Sequence, residues 1–122
     1  VSTAGSRPVL QPGPDHPITI TPTGSRVVVR IDGQVVADSA NALTLQEANY
    51  PAVQYVPKAD ITADLTGPTS TTSYCPFKGD ASYYSVAAVT DAAWSYAEPY
   101  PAVAEIAGHL AFYPNKAEVS VG

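Results

Sequence analysis

The segment from Arg26 to Asp38 constrains the fold more than any other. A β-branched run, Arg26 to Ile31, meets Asp32-Gly33, and the chain returns from Gln34 to Asp38. Asp-Gly between alternating apolar residues is a strong hairpin signal, because both central residues of a tight turn tolerate positive φ. Side chains alternate across a strand, so Val27, Val29 and Ile31 share one face and Val28 and Arg30 the other. A slip of one residue would exchange the faces, so burial of one face fixes the register.

Downstream, the same reading predicts a third strand over 42–46 with Leu43 and Leu45 on one side. Extended pieces follow through Val53, Tyr55 and Val56, over Ile61 to Leu65, and over Thr69 to Tyr74. Cys75-Pro76-Phe77-Lys78-Gly79-Asp80 forms a turn, and Tyr83, Tyr84, Val86 and Val89 belong to one return strand. Trp94 to Tyr96, Leu110 to Tyr113 and Glu118 to Val121 complete the strands. One short helix is predicted over 101–107, with Pro101 at its start, Val103 and Ile106 three apart, and Gly108 as its stop. The fold class expected is all-β, mainly antiparallel, as a compact curled sheet or a barrel-like sandwich. Repeated crossover helices, which a parallel nucleotide-binding sheet requires, are absent from the pattern. Residues 1–17, with prolines at 8, 12, 14 and 17, read as an extended arm, and 18–122 as a single β domain.

Charge narrows the function classes. Six Lys or Arg stand against eleven Asp or Glu, a net charge of −5 without any basic run. A nucleic-acid backbone or an anionic membrane surface demands concentrated positive charge, so neither is an expected partner. A small-molecule ligand and a second copy of the chain remain as expected partners. The single cysteine, Cys75, excludes an intrachain disulfide and a Cys-rich zinc site. Nothing resembles a signal peptide or an apolar span, which makes the cytoplasm the expected location. His16 and His109 lack metal-ligand spacing, no metal site is expected, and no cofactor is indicated.

Several polar residues could carry chemistry. Cys75 sits three residues before Lys78, an ammonium able to favour thiolate, although a lone cysteine also serves as a small buried hydrophobe. Lys78 lies in a tight Pro/Gly turn that gives it no obvious packing duty. Asp38 and Ser39 end a hairpin strand, where side-chain-to-backbone capping is the ordinary role. Glu47 and Asp60 stand at strand ends, where carboxylates can converge as acid, base or metal ligand. Tyr55, Tyr83, Trp94 and Tyr96 could wall a ligand site with apolar faces and hydroxyl donors, or simply fill a small β core. Cys75, Lys78, Asp60 and Glu47 are thus the catalytic candidates, with Asp38, Ser39, Tyr55, Tyr83, Trp94 and Tyr96 as ligand-binding ones.

The landmarks in order resemble a bacterial family, domain of unknown function 427. They are Val35-Val36-Ala37-Asp38-Ser39, Tyr55-Val56-Pro57 with Asp60, Cys75-Pro76-Phe77-Lys78-Gly79, Ala93-Trp94-Ser95-Tyr96 and Ala111-Phe112-Tyr113-Pro114. The resemblance spans about Arg26 to Val121 and implies a small all-β domain, sometimes given a nucleotidyltransferase-type name. Three functions follow as expectations. A Tyr/Trp-lined pocket would bind a small anionic or polar-aromatic ligand. A protein-interaction or structural module would use the tyrosines at an interface. A Mg²⁺-dependent nucleotidyl transfer would require Asp38, Glu47 and Asp60 to approach one another.

Overall fold

A computed structural model describes residues 9–122, so the first eight residues of the expected arm lie outside the described part. The described chain forms β1 (Ile18–Pro22), β2 (Val27–Ile31), β3 (Gln34–Ser39), β4 (Leu43–Glu47), β5 (Val53–Pro57) and β6 (Leu65–Thr66). It continues through β7 (Thr72–Cys75), β8 (Gly79–Val86), β9 (Val89–Ser95), β10 (His109–Phe112) and β11 (Glu118–Val121). Two short 3₁₀ turns, Lys58–Asp60 and Pro101–Ile106, supply the helical content among the described residues.

Every strand pairing is antiparallel. The larger sheet runs β1-β4-β5-β10-β9-β8-β6, with β7 also paired to β8, and the smaller one β11-β2-β3. The hydrogen-bonding path ends at β1 and β6 without closing, so the mainly antiparallel all-β expectation holds while neither a closed barrel nor a curled sheet forms among the described residues.

Alternation along the strands sends the larger sheet's side chains into two cores. Val56, Ala93, Leu110 and Phe112 point to the smaller sheet, where Val27, Val29, Ile31, Val36 and Ala37 meet them. Tyr55, Trp94 and Ala111, one residue out of step, belong to a second cluster with Leu45, Tyr96, Val103 and Ile106. Val27 and Val29 are fully buried, as the hairpin's alternation requires. Each such side chain stabilises the fold by about 1.5–3 kcal/mol relative to exposure.

The expected helix over 101–107 is a 3₁₀ turn broken by a non-helical Val103 (φ −129°). A six-residue α-helix is costly to nucleate, but a kinked turn can still set residues three apart on one side. Val103 and Ile106 therefore still plug the second core together, both fully buried.

Three strand boundaries differ from the sequence reading. Residues 61–64 are not a strand; Ile61 makes one bridge to Ala37, and the bulged carbonyl of Val36 accepts the N–H groups of Thr62 and Ala63. The strand read over 69–74 begins only at Thr72, because Thr69 and Thr71 donate their hydroxyls to Asp91. The return strand read from Tyr83 to Val89 is two strands, β8 and β9, turned back at Ala87-Ala88 with Val86 opposite Val89. Both alanines have positive φ, 50° and 67°, as in the Asp32-Gly33 turn at 51° and 81°. Alanine carries no turn signature, so its composition concealed the hairpin.

That turn holds exposed alanines where glycine is at ease. A left-handed L-residue costs about 1–2 kcal/mol, partly offset by the greater freedom glycine loses on folding. Ala88→Gly should therefore raise unfolding stability by about 0.5–1 kcal/mol. Urea denaturation with an unchanged slope is the check, and a loss of stability would show the turn to be unstrained.

Candidate functional site

On the second-core side of the larger sheet lies a cavity of about 390 Å³. Strand alternation builds it: Leu45 and Glu47 come from β4, Val53 and Tyr55 from β5, and Trp94 with Tyr96 from β9 and the residue after it. Tyr83 stands opposite Trp94 in the β8–β9 ladder, as Leu45 does opposite Val53. Tyr50 and Pro51 contribute from the β4–β5 loop, Tyr113 from the end of β10, and Lys78 from the β7–β8 turn.

The turn that delivers Lys78 is held by its backbone. Lys78 N–H donates to the Cys75 carbonyl at 3.1 Å, and its own carbonyl accepts from Tyr100 N–H at 3.0 Å. Gly79 follows with φ 110°, a conformation that an L side chain would strain. So fixed, Lys78 is only 8% exposed and its ammonium reaches inward. Nζ donates to Glu47 Oε1 at 2.5 Å and lies 3.7 Å from Cys75 Sγ. The other Glu47 oxygen, Oε2, is 2.7 Å from His16 Nε2. His16 is itself stacked on Phe77 at 4.1 Å with the rings 6° from parallel.

The His16 contact gives the described part of the arm a place. Leu10 N–H donates to the Pro76 carbonyl, Ala48 N–H to the Pro17 carbonyl, and Gly13 and His16 exchange a pair of backbone bonds. Residues flanking the site on both sides, 48 and 76, are thereby tied to the arm.

Aromatic rings make the rest of the wall. Trp94 packs on Tyr113 at 4.5 Å, tilted 43°, and meets Tyr55 edge-on at 6.4 Å. Its indole N–H donates to Tyr55 Oη at 3.3 Å. Tyr113 donates to Tyr83 Oη at 3.1 Å, and Tyr83 shares a further hydrogen bond with Ser73 at 2.9 Å. Burial pushes the Tyr55 phenol up to about 12 and raises Tyr96 and Tyr113 further, so all three stay protonated near neutral pH.

Of the ten candidates from sequence, six line this cavity: Glu47, Tyr55, Lys78, Tyr83, Trp94 and Tyr96. Cys75 lies beneath Lys78 and is half-buried. The other three are engaged elsewhere. Asp38 takes two hydrogen bonds from the Arg26 guanidinium at an exposed position, while buried Ser39 donates to Asp60 at 2.6 Å and accepts from Asn41 N–H. Those bonds tie the end of β3 to the Lys58–Asp60 turn. Asp38, Glu47 and Asp60 thus belong to three separate partnerships. Among the described residues, no three His, Cys, Asp or Glu side chains stand together as metal ligands. Three participants were missed from sequence: His16, whose partner lies 31 residues away, and Tyr50 and Tyr113, two of many aromatics with nothing local to single them out.

Compared with known families, residues 19–122 match a model described as a domain of unknown function, DUF427. No curated protein matches the chain.

Burial is the largest single influence on Glu47 and opposes its charge. The hydrogen bonds and charges of Lys78 and His16 together outweigh it, and the carboxyl titrates below its ordinary 4.5. A carboxyl depressed in the folded state stabilises above its unfolded pKa, and that contribution is lost as pH falls through the folded one. Stability should therefore drop below about pH 4.5, with Glu47→Gln showing a shallower decline. The pairing also determines what Lys78→Met should do. Stranding the carboxylate costs about 2–3 kcal/mol, and adding Glu47→Leu should recover at least half. Acid titration of the unaltered protein and Glu47→Gln, and urea titration of the unaltered protein, Lys78→Met, Glu47→Leu and the double variant, decide it; additive losses would show that the two charges do not interact.

Proposed function

We propose, from the premise that the chain belongs to the DUF427 family, that this domain binds a small polar-aromatic molecule in the cavity under Trp94. One observation carries the reading: a buried ion pair and a continuous aromatic wall open onto the same concave space. Ligand sites combine an apolar lining with a few convergent polar groups, and this cavity does both. The four rings of Tyr55, Tyr83, Trp94 and Tyr113 offer faces for a planar group. Lys78 and Glu47 sit at one side and give the cavity an oriented polar end.

The ion pair refines the ligand's character. A free lysine would call for an anion, but Glu47 already balances Lys78 within the fold. A ligand carrying full negative charge would have to compete with that carboxylate. Planar polarity, not net charge, is what the site recognises. Whether chemistry follows binding turns on Cys75 and Lys78, which are within reach of each other at 3.7 Å.

Trp94 is the chain's one tryptophan, so its fluorescence reports directly on the cavity. A set of planar aromatic compounds, titrated against the protein, should include members that shift the emission and saturate. A true ligand at a hundredfold its Kd should also add about 2.7 kcal/mol of stability. Removing the stacking partner with Tyr113→Ala should weaken such a ligand about tenfold, since an aromatic contact contributes about 0.5–1.5 kcal/mol beyond its buried area. Emission changes indifferent to Tyr113→Ala would place binding elsewhere and defeat the reading.

A further inference from the structure

Among the hydroxyls that line the cavity, the nearly buried one that the fold leaves unused is that of Tyr96; the Tyr50 hydroxyl, also without a partner among the described residues, belongs to an exposed side chain. Glu47 has both oxygens occupied, Tyr55 accepts from Trp94, and Tyr83 and Tyr113 are bonded to each other. Tyr96 differs. It lines the cavity and is only 6% exposed, yet its hydroxyl has no hydrogen-bond partner among the described residues. Among the described residues no fully enclosed side-chain nitrogen or oxygen lacks a partner, so this hydroxyl is not sealed in the core, and the cavity is the space that Tyr96 lines. A ligand that covers this hydroxyl without offering it a hydrogen bond would strand it, whereas an acceptor on the ligand would match it.

The neighbouring groups point the same way. Tyr55 Oη accepts the indole N–H, which leaves its own proton free to donate. Lys78 has three N–H donors and directs two of them, at Glu47 and Cys75. Each carboxylate oxygen of Glu47 already has a partner within the fold, whereas the Tyr55 and Tyr96 protons have none, so donors are what this end of the cavity offers first. Burial keeps the Tyr55 and Tyr96 phenols protonated, which preserves them as donors. The complementary group is an acceptor oxygen. A carboxylate would bring a second negative charge beside Glu47 into a largely apolar space, whereas a carbonyl accepts the same hydrogen bonds without one.

We propose that the cavity takes the neutral carbonyl oxygen of a planar aromatic molecule, with the Tyr96 hydroxyl donating to it, Tyr55 beside it, and the ring against Trp94 and Tyr113. The proposal rests on the reading that the cavity is a ligand site. Toluene, benzamide and benzoate, titrated into the protein and into Tyr96→Phe while following Trp94 emission, separate the two. Benzamide should bind the unaltered protein at least about tenfold more tightly than toluene, a difference of about 1.4 kcal/mol. Tyr96→Phe should lose about that tenfold for benzamide while leaving toluene unchanged, which also shows the variant's cavity to be intact. Benzoate binding as tightly as benzamide would overturn the preference for a neutral oxygen. Benzamide binding equally to both proteins would overturn the role of Tyr96, with the ligand site still standing. No saturable binding of any of the three at millimolar concentration would remove the ligand site, and the carbonyl with it.

Discussion

Lys78 and Glu47 bring opposite charges out of water at the edge of an aromatic cavity, and much of the site's order follows from that contact. Neither charge would be tolerated there alone, since desolvation of an unpaired ion in such a place costs several kcal/mol. Their pairing fixes the β7–β8 turn against the end of β4, although 31 residues separate the two side chains. Glu47 then has a second oxygen to satisfy, and His16 does so while stacking on Phe77. One ion pair thus locates three segments: the arm, the end of β4 and the turn carrying Cys75.

The aromatic wall depends on register rather than on charge. Trp94 faces the cavity while Ala93 faces the other core, because consecutive side chains of β9 point to opposite sides. A one-residue slip in the β8–β9 ladder would exchange them and leave the cavity without its indole. The bulge between Tyr84 and Val86 and the Ala87-Ala88 turn pin that register. Asp91, at φ 52° within the irregular stretch, holds the 69–71 segment through two threonine hydroxyls. Residues far from the cavity thereby determine what faces it.

How much of this was legible in sequence depended on the range of the interaction that decides each feature. The β2–β3 hairpin was readable because Asp32-Gly33 announces its turn and alternation announces its faces. The Ala87-Ala88 hairpin was not, because tertiary pairing imposes left-handed backbone on residues that do not favour it. Lys78 stood out as a lysine without packing duty, and packing was what it proved to have, in a pair with a distant glutamate. His16 was passed over because prolines around it signalled a loose arm, whereas backbone bonds to Ala48 and Pro76 fasten that arm on either side of it. Asp38, Ser39 and Asp60 were selected for being polar at strand ends; the first pairs with Arg26 and the other two with each other. Local pattern could identify the cavity's tyrosines, but not which hydroxyls would already be occupied.

That last distinction bears most directly on function. A β domain of this size can bury many tyrosines for stability alone, and most of those here bond to one another or to neighbouring side chains. Hydroxyls satisfied in this way rigidify a wall and ask nothing of a ligand. The same accounting gives weight to the exception. Of the tyrosine hydroxyls without a partner among the described residues, Tyr50 belongs to an exposed side chain and Tyr84 lies off the cavity, whereas Tyr96 is nearly buried and lines the space that also meets Lys78 and Trp94. A core built only for stability gains nothing by leaving that hydroxyl unmatched, since phenylalanine would fill the position without the polar atom. Keeping that polar atom is intelligible if an acceptor arrives from outside the chain.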